Sequence, residues 1–358
     1  DILPQLFSRL SHPVKSVRAV IVRLLARIGS ASPHSIVYQV VVGGRSREVL
    51  SDDVFDMEND EGRTNTHSKE RSSVYECCRA LELSLMEHSS SLLQDVRMFV
   101  DELHRLNMTD ERWCFVLHHL DMDMSRRLNH IRREKEKTLS LNHLSIHMKE
   151  KMIKEKTSLI IGPVYRILRD FWSKTKIQAE KGVEDAKRFV SLFEEDIDRA
   201  FEMSEEANER GDEDGRWEAF VRLSVTVVRR TNRKGGNIMD ISHCLTQLID
   251  KRGQWNVPLP GQDDVPYNEI ISLQSVDSQA LVLSTKTRPK KLTLRGNDGK
   301  DRTFLFKGHE DLHLDERIMQ LLHMCNLMLQ AQSKKESPSY ETRYYAVTPL
   351  GPLSGLIQ

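Results

Sequence analysis

Several common devices are missing from this sequence. Five cysteines, Cys77, Cys78, Cys114, Cys244 and Cys325, form an odd set without a C-x-x-C pair. That argues against a disulfide framework and a paired-cysteine zinc site, and it fits a reducing compartment, the cytoplasm first and the nucleus second. No apolar run approaches the roughly 18 to 20 residues of a membrane span, and no charged-then-apolar leader opens the chain, so no membrane partner is expected. There is no surplus of charge either: 53 Lys and Arg face 53 Asp and Glu. Nucleic acid or anionic lipid would therefore have to be bound locally, without a global field. Both glycine-rich phosphate cradles, G-x-G-x-x-G and G-x-x-x-x-G-K-[ST], are absent.

What is present is length and hydrophobic content. At 358 residues and 39% hydrophobic, the chain is expected to form about two domains with sizeable cores. Beginning at Asp1, it reads as a segment of a longer protein.

Residues 1–45 read as a helical hairpin. Ile2, Leu3, Leu6, Phe7 and Leu10, then Val17, Val20, Ile21, Leu24, Leu25 and Ile28, recur at three-and-four spacing around His12-Pro13, and a short apolar element follows at 35–42. Residues 46–73 are polar, rich in Ser, Asp, Glu and Arg, and read as a mobile insertion. Residues 74–250 have the texture of a helical bundle, with separators expected at 107–110, Gly162-Pro163, Lys181-Gly182, 211–215 and Gly235-Gly236. From 251 to 358 the texture turns to strands at 270–276, 279–285, 291–295 and 303–306, expected as two successive hairpins, the second joined by Gly296-Asn297-Asp298-Gly299. A helix over 314–330 and two further strands complete it. The predicted class is α+β: the end of a helical solenoid and a bundle, followed by a small antiparallel sheet with one helix.

Several features attract attention without carrying chemistry. The charges of 126–156, from Arg126-Arg127 to Lys149–Lys156, read first as a solvated helical face and second as a polyanion patch. His143 and His147 have a zinc-compatible spacing but lack H-E-x-x-H order and a third ligand, and His118-His119 with Asp121 and Asp123 is no better. No metal site is predicted. Trp113, Trp172 and Trp217 read as bundle core before they read as a ligand slot.

The candidate chemistry lies at Lys307–Arg317, where a strand gives way to a helix beside three carboxylates, Glu310, Asp311 and Asp315. A Lys can neutralise phosphate oxygens while a carboxylate holds it in place. Equally, Asp311 could serve only as a helix cap and Glu316 only as compensation of the helix dipole. With neither glycine motif present, the chain is not an ordinary protein kinase or a P-loop enzyme.

Three stretches carry a resemblance: Ser284–Leu294, then Phe304-Leu305-Phe306-Lys307-Gly308-His309-Glu310-Asp311-Leu312 with Asp315-Glu316-Arg317-Ile318-Met319-Gln320, and Tyr345-Ala346-Val347 through Ile357. They resemble the phosphatidylinositol-3-kinase-related protein kinases, and among these the nonsense-mediated mRNA decay branch more than the target-of-rapamycin branch. Upstream, Leu3–Leu10 and Ser32–Tyr38 resemble the end of that family's helical FAT region. Glu102–Leu106 to Trp113 resembles the opening of its FRB-like bundle, so that 251–358 would be an incomplete kinase amino-terminal lobe.

The resemblance implies a serine/threonine protein kinase acting at Ser or Thr followed by Gln, with an RNA helicase of mRNA surveillance as substrate and regulatory subunits on the helical region. It implies an ATP site formed by Lys307, Glu310, Asp315, Thr285, Leu305 and Tyr345, Thr285 standing where the family's phosphate-covering loop has a Ser. No Asp-Arg-His loop and no Asp-Phe-Gly occurs. The general base and the Mg²⁺ ligands are therefore expected beyond Gln358, and this polypeptide by itself is expected to be inactive. The competing reading is a non-catalytic helical scaffold of the same family.

Overall fold

The computed structural model describes residues 2–45, 64–141, 144–231, 235–237, 245, 256–262, 265–283, 285, 287–332 and 341–358. They form two compact units. One joins the chain up to Leu106 with the carboxy-terminal part from 235 onward; the other is drawn from 107–231. The architecture is α+β, mostly helical with one small antiparallel sheet and one helix packed on it.

The first unit opens with α1 (Leu3–Ser8), α2 (Lys15–Ala31) and α3 (Val37–Gly43). Helix α2 buries Ile21, Leu25 and Gly29 at four-residue intervals. At Gly29 a Cβ would lie 2.6 Å from Ile36 Cδ1 and 3.1 Å from Leu85 Cδ2, so the side chains of Ile36 and Leu85 pack directly on the helix backbone there. Both α2 and α3 lie along α4 (Thr64–Arg105), which changes direction at Ser89. Residues 64–73 are thus helical and not part of the insertion. No Pro or Gly interrupts 64–105, so a packed helix propagates outward through polar residues. Residues 46–63 lie outside the described residues.

The sheet contains β1 (Gly235–Asn237), β2 (Leu273–Val276), β3 (Gln279–Val282), β4 (Lys290–Gly296), β5 (Asp301–Lys307), β6 (Val347–Gly351) and β7 (Ser354–Ile357), with α9 (His313–Gln332) between β5 and β6. All pairings are antiparallel, in the order β1-β3-β4-β5-β7-β6, and β2 also pairs with β4. The expected hairpin between 270–276 and 279–285 does not form. Strands β2 and β3 run in one direction along the same edge of β4, interrupted at Asp277-Ser278. A two-residue hairpin turn needs positive φ, and neither residue adopts it. Instead Asp277 Oδ1 accepts the Gln279 N–H at 3.0 Å and the strand continues past the interruption. The true hairpin is β3–β4, closed by the loop of residues 283–289. Strand β1, at the Gly235-Gly236 expected as a separator, adds an edge. Phe304, Phe306, Leu292, Leu294, Leu350 and Leu356 fill the buried face. Each contributes about 1.5–3 kcal/mol.

Among the described residues the second unit is four helices: α5 (Thr109–Leu139), α6 (Ile146–Glu180), α7 (Glu184–Glu209) and α8 (Glu213–Thr231). Gly162-Pro163 lies inside α6 and does not separate two helices. Ile161, Val164 and Tyr165 around it are buried in the core, and Arg127 donates to the carbonyl of Ile160 at 2.8 Å in the turn before the proline. All three tryptophans are core. Trp113 packs on Phe171, Trp172 and Phe189, and the indole N–H groups of Trp113, Trp172 and Trp217 donate to Thr175, Asp198 and Asp121.

Candidate functional site

The site is built from the alternation of one strand. On β5, Phe304 and Phe306 point into the core, which puts Leu305 and Lys307 on the opposite face. Leu305 is half-buried and lies across from Lys291 on β4 and Ile357 on β7. Lys307 lies across from Gly355, the last paired position before the chain leaves the sheet.

After Gly308 the chain is tied down at both sides. Glu310 N–H donates to the carbonyl of Leu353, in the β6–β7 turn, at 2.9 Å. Leu312 is fully buried. Between these anchors the Glu310 carboxylate accepts from Lys307 Nζ at 2.7 Å through Oε2 and from Thr287 Oγ1 at 2.6 Å through Oε1. Burial alone would raise the Glu310 pKa. The hydrogen bonds from Lys307 and Thr287, with the nearby positive charge, outweigh burial and hold it below the usual carboxylate range. The carboxylate is therefore ionised at neutral pH. Both side chains keep partial solvent contact, so the pair's worth is mainly positional: it fixes Nζ on the outer face of the sheet.

The remaining candidates sit around this pair. Asp311 Oδ1 accepts the N–H of His313 at 3.0 Å, an Asx turn that leads into α9. Asp315 lies half-buried in the first turn of α9, and among the described residues nothing bonds it to Lys307; the ion-pair partner is Glu310. Thr285 is exposed in the 283–289 loop, where its carbonyl accepts Arg288 N–H at 3.1 Å. Arg288 takes φ of 45° in that loop. Ser284 and Lys286 lie outside the described residues. Tyr345 stands exposed just before β6. Thr287, absent from the expected site residues, is the loop residue that reaches Glu310. Its only signal was a second Thr two positions after Thr285, and nothing in the sequence shows that a residue 23 positions upstream bonds to Glu310.

The description "Phosphatidylinositol 3- and 4-kinase" belongs to the family whose sequence profile matches residues 301–358, from β5 through Lys307 and Glu310 to the end of β7. The serine/threonine-protein kinase smg-1 of Caenorhabditis briggsae is 39% identical over 100% of this chain and 15% of its own length. From end to end the chain is thus similar to serine/threonine-protein kinases of the phosphatidylinositol-3-kinase-related type. SMG1 of Danio rerio is 30% identical over 100% of the chain and 11% of its own length. The serine/threonine-protein kinase TOR of Arabidopsis thaliana is 25% identical over 99% of the chain and 12% of its own length. The chain thus spans a small part of the relatives it matches.

The other sequence candidates fall within structure. Among the described residues no three His, Cys, Asp or Glu gather to hold a metal ion. Near His118-His119, Asp121 accepts from Trp217 and Asp123 from Arg127, so both carboxylates already have partners; His143 lies outside the described residues. The basic run is largely matched by acids: Arg132 with Asp214, Lys135 with Glu213, and Lys137 and Lys156 with Glu134. This favours the solvated-face reading over a polyanion patch.

Proposed function

We propose that this chain forms the helical approach and the phosphate-holding side of an ATP-dependent serine/threonine protein kinase. We propose further that the kinase acts in nonsense-mediated mRNA decay and phosphorylates Ser/Thr-Gln sites on an RNA helicase of mRNA surveillance. The observation that carries the reading is the Lys307–Glu310–Thr287 chain on the outer face of β5. A lysine held in place by an ionised carboxylate is what an ATP phosphate requires, because positioning and charge neutralisation supply most of the catalysis of phosphoryl transfer. Support for the finer reading comes from the relatives, whose printed names include SMG1 at 39% and 30% identity.

In this reading Lys307 meets the phosphate oxygens and Glu310 holds Lys307. Thr285 offers its hydroxyl from the covering loop, Leu305 and Tyr345 supply apolar contact for the nucleotide base, and Asp315 frames the polar side. A divalent metal such as Mg²⁺ would neutralise further phosphate oxygens; the described residues gather no carboxylate set for it. Regulatory subunits would bind the helical part, in a reducing cytoplasmic or nuclear setting.

The test uses the full-length protein and a Ser-Gln peptide. Lys307→Ala is expected to lower phosphorylation by about 100-fold or more, with the helical circular dichroism and thermal transition unchanged. Retained activity would overturn the assignment of Lys307. A wild-type protein that neither binds nor turns over ATP would instead favour the non-catalytic scaffold, and equal phosphorylation of a peptide lacking the Gln would remove the Ser/Thr-Gln preference.

A further inference from the structure

One pair of side chains ties the amino-terminal helix to the helix that follows the lysine. Gln5 on α1 and Gln320 on α9 exchange hydrogen bonds in both directions: Gln5 Nε2 donates to Gln320 Oε1 at 2.5 Å, and Gln320 Nε2 donates to Gln5 Oε1 at 3.0 Å. Gln320 is buried and Gln5 sits at the solvent edge of the contact. A reciprocal amide pair has both bonds only when the two groups lie in one plane with donor facing acceptor, so it fixes relative placement in a way that an apolar contact, free to slide, does not.

The consequence follows from where α9 is otherwise held. Leu312 packs beside Gly355, where an added Cβ would meet Leu312 Cδ1 at 2.7 Å, and Glu310 N–H is bonded to the β6–β7 turn. These contacts fix the start of α9. About two turns further on, Gln320 is held by α1, and two fixed points along a rigid helix set its pitch. Glu310 lies three residues before α9 and reaches Lys307 by a single 2.7 Å contact, so a small tilt of α9 is enough to lengthen that contact.

We propose that Gln5, acting through Gln320, is a positioning residue for the nucleotide site. It sets the pitch of α9 and with it the place from which Glu310 holds Lys307. The inference rests on the kinase reading above. It makes the amino-terminal hairpin a determinant of ATP affinity, and any partner that displaces α1 a modulator of it.

The test measures KM for ATP, KM for peptide, kcat and the thermal transition in the full-length protein. Gln5→Leu and Gln320→Leu are each expected to raise the KM for ATP about 3- to 10-fold, the range of one or two lost hydrogen bonds, with the KM for peptide within about twofold of wild type. Replacing both together is expected to recover most of the loss, because two apolar side chains then meet and no buried amide is stranded. Gln5→Asn, which keeps the amide but shortens its reach, should resemble Gln5→Leu. If Gln5→Leu lowers the thermal transition and leaves the KM for ATP unchanged, the pair is merely structural and the proposal is wrong. Lys307→Ala serves as the companion variant. If it retains activity, the kinase-site reading fails and takes this inference with it; if it abolishes activity while Gln5→Leu is silent, only the tether falls.

Discussion

Glu310 serves two donors with one carboxylate, and that division is testable residue by residue. Thr287→Val removes the neutral donor and leaves the ion pair. It should let the Glu310 pKa move back toward its ordinary value and raise the KM for ATP roughly five-fold, the worth of about one hydrogen bond. Thr285→Val, lacking that contact, should leave the Glu310 titration unchanged. A second residue-scale prediction concerns His104, at the end of α4, whose Nε2 meets the carbonyl of Leu350 on β6 at 2.9 Å. Burial, then the charge of Arg45, push its pKa down to about 4, against the hydrogen bond to Leu350. Because the folded pKa is depressed, the neutral ring's contribution is intact above about 6.5 and is lost as pH falls toward 4. The loss is on the order of 3 kcal/mol. His104→Gln keeps a donor but cannot titrate, so denaturant melts of wild type and variant between pH 7 and 4 should diverge; parallel curves would exclude this role.

At the scale of elements, the sheet shows how far periodicity reaches. Alternation identified β4 and β5, and Gly296-Asn297-Asp298-Gly299 was legible as their turn because Gly299 takes a φ of 76°, which glycine adopts freely. The partnering of β2 was not legible, since two residues between strand-like runs read equally as a hairpin turn or as an interruption, and only the dihedrals decide. Gly355 is a further element-scale decision. A Cβ there would stand 2.7 Å from Leu312 Cδ1 and 2.8 Å from the carbonyl oxygen of Thr348, and the backbone atom cannot swing aside. Gly355→Ala should cost about 1–3 kcal/mol in chemical denaturation, as overpacking does. It should also raise the KM for ATP through Leu312. Full stability in the alanine variant would show that β6 and β7 have room to part.

For the whole molecule, the two units have separate cores. The second unit's core runs from Trp113 to Val227 without a residue from the first. Residues 107–232 expressed alone should therefore fold cooperatively with a helical circular dichroism spectrum. That unit carries its own pH signature. Asp110, buried at the start of α5 beside Glu111 and Asp185, has a pKa raised to about 6, chiefly by burial and then by those two charges. With the folded pKa raised, the protonated group's contribution is present below about 4 and lost as pH rises through about 6. Asp110→Asn should thus match wild type at pH 4 and be more stable at pH 7, by on the order of 2–3 kcal/mol in urea melts. The sequence by itself determined what depends on neighbours along the chain: helices from three-and-four spacing, strands from alternation, the strand-to-helix setting of Lys307, and the family resemblance through contiguous words such as Lys307–Leu312. Packing decided what joins distant residues: α4 with the hairpin and not the bundle, Glu310 rather than Asp315 bonded to Lys307, Thr287 bonded to Glu310, and Gln5 against Gln320 across 315 positions. Local periodicity records which face of an element is apolar, whereas the identity of the partner on that face is set by three-dimensional complementarity, which no spacing along the chain encodes.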